Sequence, residues 1–156
     1  MTLPVSNTLS KSERLHGRNA VEQLFQKAKR SSMVVFPLRA VYTLTTGEEQ
    51  EGEAAVRVLF SVSKRHFKRA VKRNRAKRQV REAYRKNKHA LADIIAGMPG
   101  TGLSIAFVWL SDEPQPSGEV EASMVALLSR IGEKAHRIYD NSRKAETHNL
   151  TDQEQP

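Results

Sequence analysis

The sequence predicts an α+β domain in which a small mixed sheet of about four strands packs with three helices, in the order α-β-β-(β)-α-β-α. Three observations indicate this class. In two segments, apolar residues occupy every second position, as in half-buried strands. In three other segments, apolar residues recur every three or four positions, as on one face of a helix. Residues 103–110 are apolar without alternation, which indicates a central strand covered on both faces.

The chain of 156 residues is long enough for one domain with a modest core. Residues 1–12 show no periodicity and are predicted to form a flexible arm. Residues 13–140 hold every predicted helix and strand and are predicted to form the single domain. Residues 141–156 have almost no apolar content, so we expect a disordered tail.

The first predicted helix covers about residues 20–29. Asn19 and Glu22 have the spacing of a capping box, and apolar residues follow at helical steps. The first strand is predicted at 33–44. Pro37 is expected at a sheet edge or bulge, because proline has no amide hydrogen to donate.

The second half of the domain is predicted to contain two longer helices. A second strand at 54–63 leads into a helix at 70–95, and Gly97 with Pro99 indicates where that helix ends. The last helix begins near Ser117, whose hydroxyl can cap it. The two strands that flank the helix at 70–95 are expected to be parallel if they are neighbours.

The basic residues are concentrated in one segment. Residues 64–88 contain 13 of the chain's 26 lysines and arginines but only one of its 17 acids, so this segment accounts for the net charge of +9. A run of like charges is often a solvated or disordered stretch. Here the periodicity of the run favours a helix instead.

The helix at 70–95 has two distinct faces. Its apolar residues fall on one side at about 100° per residue. They are Ala76, Val80, Ala83, Tyr84, Leu91, Ile94 and Ile95. Polar residues at steps of four, three and four fall on the opposite side. They are Asn74, Arg78, Arg81 and Arg85.

A row of arginines on one helix face indicates a polyanionic partner. A guanidinium group is planar, stays charged and donates in a fork that fits phosphate oxygens. Like charges on successive turns repel, so the row costs stability unless a polyanion neutralises it. The isoelectric point of about 10.1 agrees with an anionic partner. Nucleic acid is therefore the partner that these residues predict.

The same segment resembles a known signature. Residues 73–85, RNRAKRQVREAYR, resemble the RNR signature helix of the protein subunit of bacterial ribonuclease P. Residues 60–65, FSVSKR, are similar to the strand before that helix, and Ala70 and Val71 match the residues that precede the signature. The link at 66–69, HFKR, departs from the family, which has a shorter link with a glycine. We expect the local geometry of this turn to differ.

The resemblance implies a function. Ribonuclease P is a ribonucleoprotein endoribonuclease that removes the 5′ leader of precursor tRNA, and its catalytic groups and Mg²⁺ ions belong to the RNA subunit. The implied partners are that catalytic RNA and precursor tRNA, with no catalytic residue or bound cofactor in the protein. The family fold is a ribosomal-protein-like sandwich with a left-handed βαβ crossover, whereas general rules predict a right-handed one.

The resemblance also implies two sets of site residues. Those expected to contact the catalytic RNA are Lys64, Arg65, Arg73, Asn74, Arg75, Lys77, Arg78, Arg81 and Arg85. The family holds the single-stranded leader in a cleft between the first helix and the sheet, where aromatic rings can stack on bases. The matching positions are Val21, Phe25, Ala40, Tyr42 and Leu44. The family commonly has Phe at the position of Val21, so one stacking surface is expected to be missing.

The sequence shows no protein active site. It has no cysteine, its five histidines are dispersed, and it has no P-loop or dinucleotide fingerprint. No apolar run approaches the length of a membrane span, and the first residues lack the order of a signal peptide. We therefore expect a cytoplasmic protein without a membrane partner.

Three other functions are compatible with a basic helix. A structural ribosomal protein or an rRNA chaperone could use the same surface. A polybasic helix on anionic lipid is a weaker alternative, because the apolar face of the helix is needed for the core. A self-sufficient nuclease would need clustered acids that the sequence does not show. The oligomeric state stays open.

Overall fold

The computed structural model describes residues 9–15, 17–27, 31–46 and 55–153. In this part of the chain, one turn of 3₁₀-helix, Lys11–Glu13, precedes four α-helices and four strands. The helices are α1 (Arg18–Lys27), α2 (Ala70–Asn87), α3 (His89–Ala96) and α4 (Ser117–Gln153). The strands are β1 (Ser32–Val35), β2 (Leu38–Thr46), β3 (Val56–Ser61) and β4 (Thr101–Trp109).

The four strands form one sheet in the order β1-β2-β4-β3. Strand β2 is antiparallel to β1 and to β4, whereas β3 is parallel to β4. The sheet is therefore mixed, as the sequence predicts. Because β3 and β4 are parallel neighbours, α2 and α3 form the crossover between them. The hand of this crossover stays a prediction.

The larger hydrophobic core lies between one face of the sheet and the helices α2, α3 and α4. Tyr84 anchors α2 here, since its ring lies 5.9 Å from Phe60 and 5.8 Å from Phe107, measured between centroids. Every residue of β4 except Val108 is buried, which confirms the prediction of a central strand. The apolar face predicted for the basic helix is thus the face that packs.

A smaller core lies on the opposite face of the sheet. Its buried members are Leu15, Leu24, Val41 and Ala106. Leu24 attaches α1 to this face, and the Leu15 amide donates a hydrogen bond to the Val58 carbonyl at 2.7 Å. Because successive strand residues point to opposite faces, this face takes the odd-numbered residues of β2.

The segment 33–44, predicted as one strand, forms a hairpin. Phe36 and Pro37 make a two-residue turn, after which Leu38 pairs with Val35. Proline has a fixed φ and no amide hydrogen, so it is better placed in the turn than in a strand. The first strand of the prediction is therefore two strands, and β1 is an edge of the sheet.

The helix predicted at 70–95 is interrupted by one residue. It is divided into α2 and α3 at Lys88, whose side chain is buried and whose ammonium group donates to both Glu13 carboxylate oxygens, at 2.9 and 3.0 Å. Periodicity could not predict the interruption, because Glu13 lies 75 residues earlier in the chain. The described chain consequently has four α-helices instead of three.

The predicted ends of the domain differ from the structure in two places. Of the predicted arm, residues 9–12 are ordered, with Leu9 packed on the larger core, and residues 1–8 lie outside the described residues. Residues 141–153, predicted as a disordered tail, continue α4. A helix that already exists adds residues without a new nucleation step, so few apolar residues suffice. The division into domains otherwise stays a prediction.

Candidate nucleic-acid interface

Helix α2 presents a continuous row of polar side chains, the α2 basic stripe, formed by Asn74, Arg78, Arg81 and Arg85. Asn74, Arg78 and Arg81 are exposed, and Arg85 is partly buried. The opposite side of the helix buries Ala76, Val80, Ala83 and Tyr84 in the core. The sequence folds this way because its apolar and basic residues repeat in phase on opposite sides. The packing therefore fixes the direction in which the guanidinium groups point.

Three arginines of α2 have no protein partner in the part of the chain that the structure describes. They are Arg75, Arg78 and Arg81, which make neither a hydrogen bond nor an ion pair there. Cations on one rigid helix face repel one another. Their positive charges are consequently available to attract and neutralise an anion from solution.

Arg85 has a different environment, because it forms an ion pair with Glu82. Its Nε donates to Glu82 Oε2 at 3.0 Å, and its Nη2 donates to Oε1 at 2.5 Å. The hydrogen bond from Arg85 lowers the pKa of Glu82, which is the only acid between residues 64 and 88. The same bond raises the pKa of Arg85. One end of the stripe is thus partly neutralised by the protein itself.

Arg73 also has a structural role. Its Nη1 donates to the Phe67 carbonyl at 2.9 Å and to the Lys68 carbonyl at 2.8 Å. These bonds tie the start of α2 to the link that departs from the family pattern. The other two nitrogens of the Arg73 guanidinium group make no hydrogen bond with the described residues, so they keep donors for another partner.

The link at 66–69 is held from both sides. Phe67 is buried and packs its ring 6.1 Å from Trp109, measured between centroids. His66 Nδ1 lies 2.7 Å from Asp112 Oδ1, which joins the link to the loop between β4 and α4. The longer link is therefore held by side-chain contacts that a glycine could not make.

Lys64 and Arg65 lie in the turn between β3 and this link. Both side chains are exposed. The Ser63 hydroxyl accepts a hydrogen bond from the Arg65 amide at 3.1 Å, and the Ser63 carbonyl accepts one from the His66 amide at 3.1 Å. The serine thus shapes a turn that places two cations beside the start of α2.

The predicted leader cleft is wrong for its three strand residues. Ala40 and Tyr42 are buried in the larger core, and Leu44 packs against the same core, on the face that α2, α3 and α4 cover. Helix α1 packs on the other face, through Leu24 and Val41. The prediction chose the apolar residues of β2, and those are the ones that the larger core buries. Burial raises the pKa of Tyr42.

The face of the sheet next to α1, here the α1-side face, has other residues. Register places Arg39 opposite Val108 and Thr43 opposite Ser104 on this face, on either side of the Val41–Ala106 pair. Arg39 is exposed, and Thr43 and Val108 are partly buried. Phe25 on α1 is 41% exposed, and Val21 is partly buried. The alternation along β2 separates Arg39 and Thr43 from the apolar residues of the strand, but only the packing of Leu24 on Val41 shows that α1 covers this face.

A comparison with protein families matches a stretch of the chain that includes the α2 basic stripe. A model of the family described as Ribonuclease P matches residues 9–132. The chain belongs to the ribonuclease P protein family.

Relatives of known name agree with the family. The ribonuclease P protein component of Porphyromonas gingivalis is 47% identical over 131 residues, which are 84% of this chain and 91% of that protein. The ribonuclease P protein component of Chlorobium phaeobacteroides is 35% identical over 127 residues, which are 78% of this chain and 86% of that protein.

Solved ribonuclease P proteins share the fold. The protein from Thermotoga maritima has a TM-score of 0.55 at 24% identity and covers 76% of this chain and 96% of its own. The protein from Staphylococcus aureus has a TM-score of 0.58 at 17% identity and covers 78% of this chain and 96% of its own. These likenesses confirm the predicted fold class.

As a ribonuclease P protein component, the chain is the accessory subunit of a ribonucleoprotein endoribonuclease that processes the 5′ end of tRNA, and it works with the ribonuclease P RNA. In the described residues, no group of His, Cys, Asp and Glu side chains could hold a metal ion. None of the described helices is long and apolar enough to span a membrane.

A groove runs beside the α2 basic stripe in this ribonuclease P protein. It has a volume of about 340 Å³ and lies between α2 and the first turn of α4. Arg75, Arg78 and Lys86 line it together with Glu82 and Glu121. Gln79 joins α2 to the start of α4, because its amide nitrogen donates to the Ser117 hydroxyl at 3.1 Å and to the carbonyl of Gln115, just before α4, at 2.9 Å. The two glutamates of the groove therefore lie near the arginines but do not neutralise all of them.

Proposed function

We propose that the α2 basic stripe, together with the neighbouring Arg75, binds the catalytic RNA of ribonuclease P through the phosphate groups of the RNA. The observation that supports this proposal is the set of guanidinium groups on a packed helix that have no partner in the described chain. Arg75, Arg78 and Arg81 make the main contacts, and Asn74 adds a neutral donor for a phosphate or a 2′-hydroxyl group.

The remaining predicted contacts have graded roles. Lys64 and Arg65 extend the contact beyond the start of α2, and Lys77 adds charge at its side. Arg73 contributes through the part of its guanidinium group that the backbone of the link does not use. Arg85 contributes least, because Glu82 already pairs with it.

The α1-side face binds the single-stranded 5′ leader of precursor tRNA. Phe25 is exposed on α1 and offers a ring on which a base can stack, worth about 1–3 kcal/mol. Arg39 is exposed on the same side of the sheet and can pair with the leader backbone. Val21 widens the cleft where an aromatic residue would narrow it.

Magnesium ions are held by the RNA subunit in this proposal. The cations of α2 neutralise RNA phosphates that would otherwise need additional Mg²⁺, so the protein lowers the Mg²⁺ concentration that cleavage requires. Because its substrate is precursor tRNA, the protein acts in the cytoplasm.

The RNA contact is tested with variants that separate charge from geometry. Arg78→Ala and Arg81→Ala are each expected to reduce the salt slope of binding to a bacterial ribonuclease P RNA by about 1, because each removes one phosphate contact. Arg78→Lys keeps the charge and is expected to keep the slope while it loses the paired donors. Filter binding from low to moderate salt measures all three. Unchanged slopes in both alanine variants would remove α2 from the interface.

Leader binding is tested with Phe25→Ala and with precursor tRNAs of different leader lengths. The variant is expected to lose most of the preference for a long leader while its affinity for the RNA subunit alone stays the same. Val125→Ala, at an exposed apolar residue of α4, is the matched control and is expected to keep the preference. If Phe25→Ala keeps it too, the leader lies elsewhere.

A further inference from the structure

Helix α4 carries a second row of cations, which the function of α2 does not use. Its members are Arg130, Lys134, Arg137 and Lys144, here called the α4 basic stripe. Steps of four, three and seven residues place them within about 80° of one another around the helix. All four side chains are exposed. The stripe extends for about 21 Å along the helix axis.

The acids of the same helix do not neutralise this stripe. Within the described residues, none of its four side chains makes a hydrogen bond or an ion pair. Glu133 and Asp140 lie four residues before Arg137 and Lys144, a spacing at which ion pairs can form. No such pair is present, and Asp140 instead lies 3.2 Å from His136 Nδ1.

The spacing of the stripe is unfavourable for the isolated protein. Arg130 and Lys134 are four residues apart, and Lys134 and Arg137 are three residues apart, so like charges are neighbours on the helix surface. A helix face with no partner gains nothing from this arrangement. A polyanion placed along the face would neutralise all four cations.

The stripe lies mainly outside the part of the chain that matches the family model. That match ends at residue 132, and α4 continues to Gln153. Three of the four cations belong to this continuation. Their role is therefore separate from the features that α2 shares with the family.

We propose that the α4 basic stripe is a second RNA-binding surface, which contacts phosphate groups of the same ribonucleoprotein at a distance from α2. The identity of that RNA rests on the proposed function. The contact is electrostatic and independent of sequence, because four exposed cations on a helix offer charge but no pocket that reads a base.

The composition of the helix favours RNA over a lipid surface. A helix that lies on a membrane needs a broad apolar face beside its cations. Among the described side chains of α4 beyond Arg130, the only exposed large apolar residue is Ile138, which is 44% exposed. The buried residues of α4, such as Ile131 and Ala135, are used by the core.

The test neutralises the stripe in the full-length protein. The variant carries Arg130→Gln, Lys134→Gln, Arg137→Gln and Lys144→Gln, and the control carries Lys11→Gln and Arg18→Gln at exposed cations outside both stripes. Binding to a bacterial ribonuclease P RNA transcript is measured against salt concentration. We expect the salt slope of the α4 variant to fall by about 3 and that of the control to stay within about 1 of the parent. Circular dichroism melting verifies that the variants fold.

Each outcome decides between the proposals. An α4 variant with the parent's affinity and slope overturns the second surface, and Arg78→Ala in the same assay then shows whether the proposed function of α2 stands. If the salt slope of RNA binding falls in the α4 variant but not in Arg78→Ala, the result supports the second surface and contradicts the role of α2. Co-sedimentation with phosphatidylglycerol vesicles that the α4 substitutions abolish, together with unchanged RNA binding, overturns the proposal in favour of lipid.

Discussion

Lys88 is the only buried cation in the part of the chain that the structure describes, and its position orders the start of the domain. Its side chain is 5% exposed and pairs with Glu13, which is 24% exposed. Burial raises the pKa of Glu13, but hydrogen bonds from Lys88 and from Ser10 outweigh it and lower that pKa overall. One ion pair thus joins the 3₁₀ turn to the junction of α2 and α3.

Removal of one partner of this pair should destabilise the protein. Lys88→Met leaves the Glu13 carboxylate partly buried without its counter-ion, and we expect the free energy of unfolding to fall by about 3 kcal/mol. Urea denaturation at pH 7 measures this change. The double variant Lys88→Met with Glu13→Leu should recover part of the loss, since no charge is then left unpaired. A single variant as stable as the parent would contradict this role.

The same pair predicts how stability depends on pH. The folded-state pKa of Glu13 lies below its ordinary value of 4.5, so the stability that it contributes is present above pH 4.5 and is lost as the pH falls through the lower folded value. The difference in unfolding free energy between the parent and Glu13→Gln should therefore shrink between pH 5 and pH 3. Urea melts across this range test it, and a constant difference would show that Glu13 does not titrate with folding.

At the scale of elements, the two helical layers are attached with different strength. Helices α2, α3 and α4 share a core that includes Trp109, Phe107 and Met124, whereas α1 is attached through a core of four buried residues. The α2 basic stripe therefore belongs to the strongly packed layer. The α1-side face depends on a helix that is held by few buried residues. Such an element can adjust its position to a flexible ligand, such as the single-stranded RNA leader that we propose binds there.

The weak attachment of α1 predicts a selective defect. Leu24 is 2% exposed, so Leu24→Ala should cost about 2–5 kcal/mol and loosen α1 before the rest of the fold. We expect the preference for a long leader to be lost while the affinity for the catalytic RNA is kept. Amide exchange of α1 compared with α2 measures the loosening. Equal loss of protection in both helices would contradict separate layers.

At the scale of the whole molecule, the three surfaces that we propose bind RNA lie on several sides of the same fold. The α2 basic stripe, the α1-side face and the α4 basic stripe are held by one sheet, so their spacing is fixed by the fold. Helix α4 passes beyond the core, where Arg143 lies 5.7 Å from the centre of the Tyr139 ring. We therefore expect the last part of this helix to contribute little to the stability of the fold.

A shortened chain tests this view of α4. A protein that ends at Asp140 loses the contact between Arg143 and Tyr139 but none of the buried core residues among the described side chains, so its unfolding free energy should change by less than about 1 kcal/mol. Thermal melting of the two chains makes the comparison. A large drop in melting temperature would show that residues 141–153 stabilise the domain.

The basic surface of the site could be predicted, because the residues that define it are close together in the sequence. The phase of Ala76, Val80 and Ala83 against Arg78 and Arg81 lies within a few helical turns, so the sequence alone determined that α2 buries one face and exposes the other. The leader cleft could not be predicted in this way. Alternation gives two faces of β2, but it does not tell which of them α1 covers.

The sequence by itself thus determined most of the elements, the mixed sheet and the basic helix, because periodicity and charge act between near neighbours. Only the tertiary structure decided that Tyr42 faces the larger core, that Lys88 turns inward to Glu13, and that Arg73 bonds the link at 66–69. The physical reason is that each of these depends on which surfaces meet when the chain closes. Such contacts join residues that are far apart in sequence or that lie in an irregular turn.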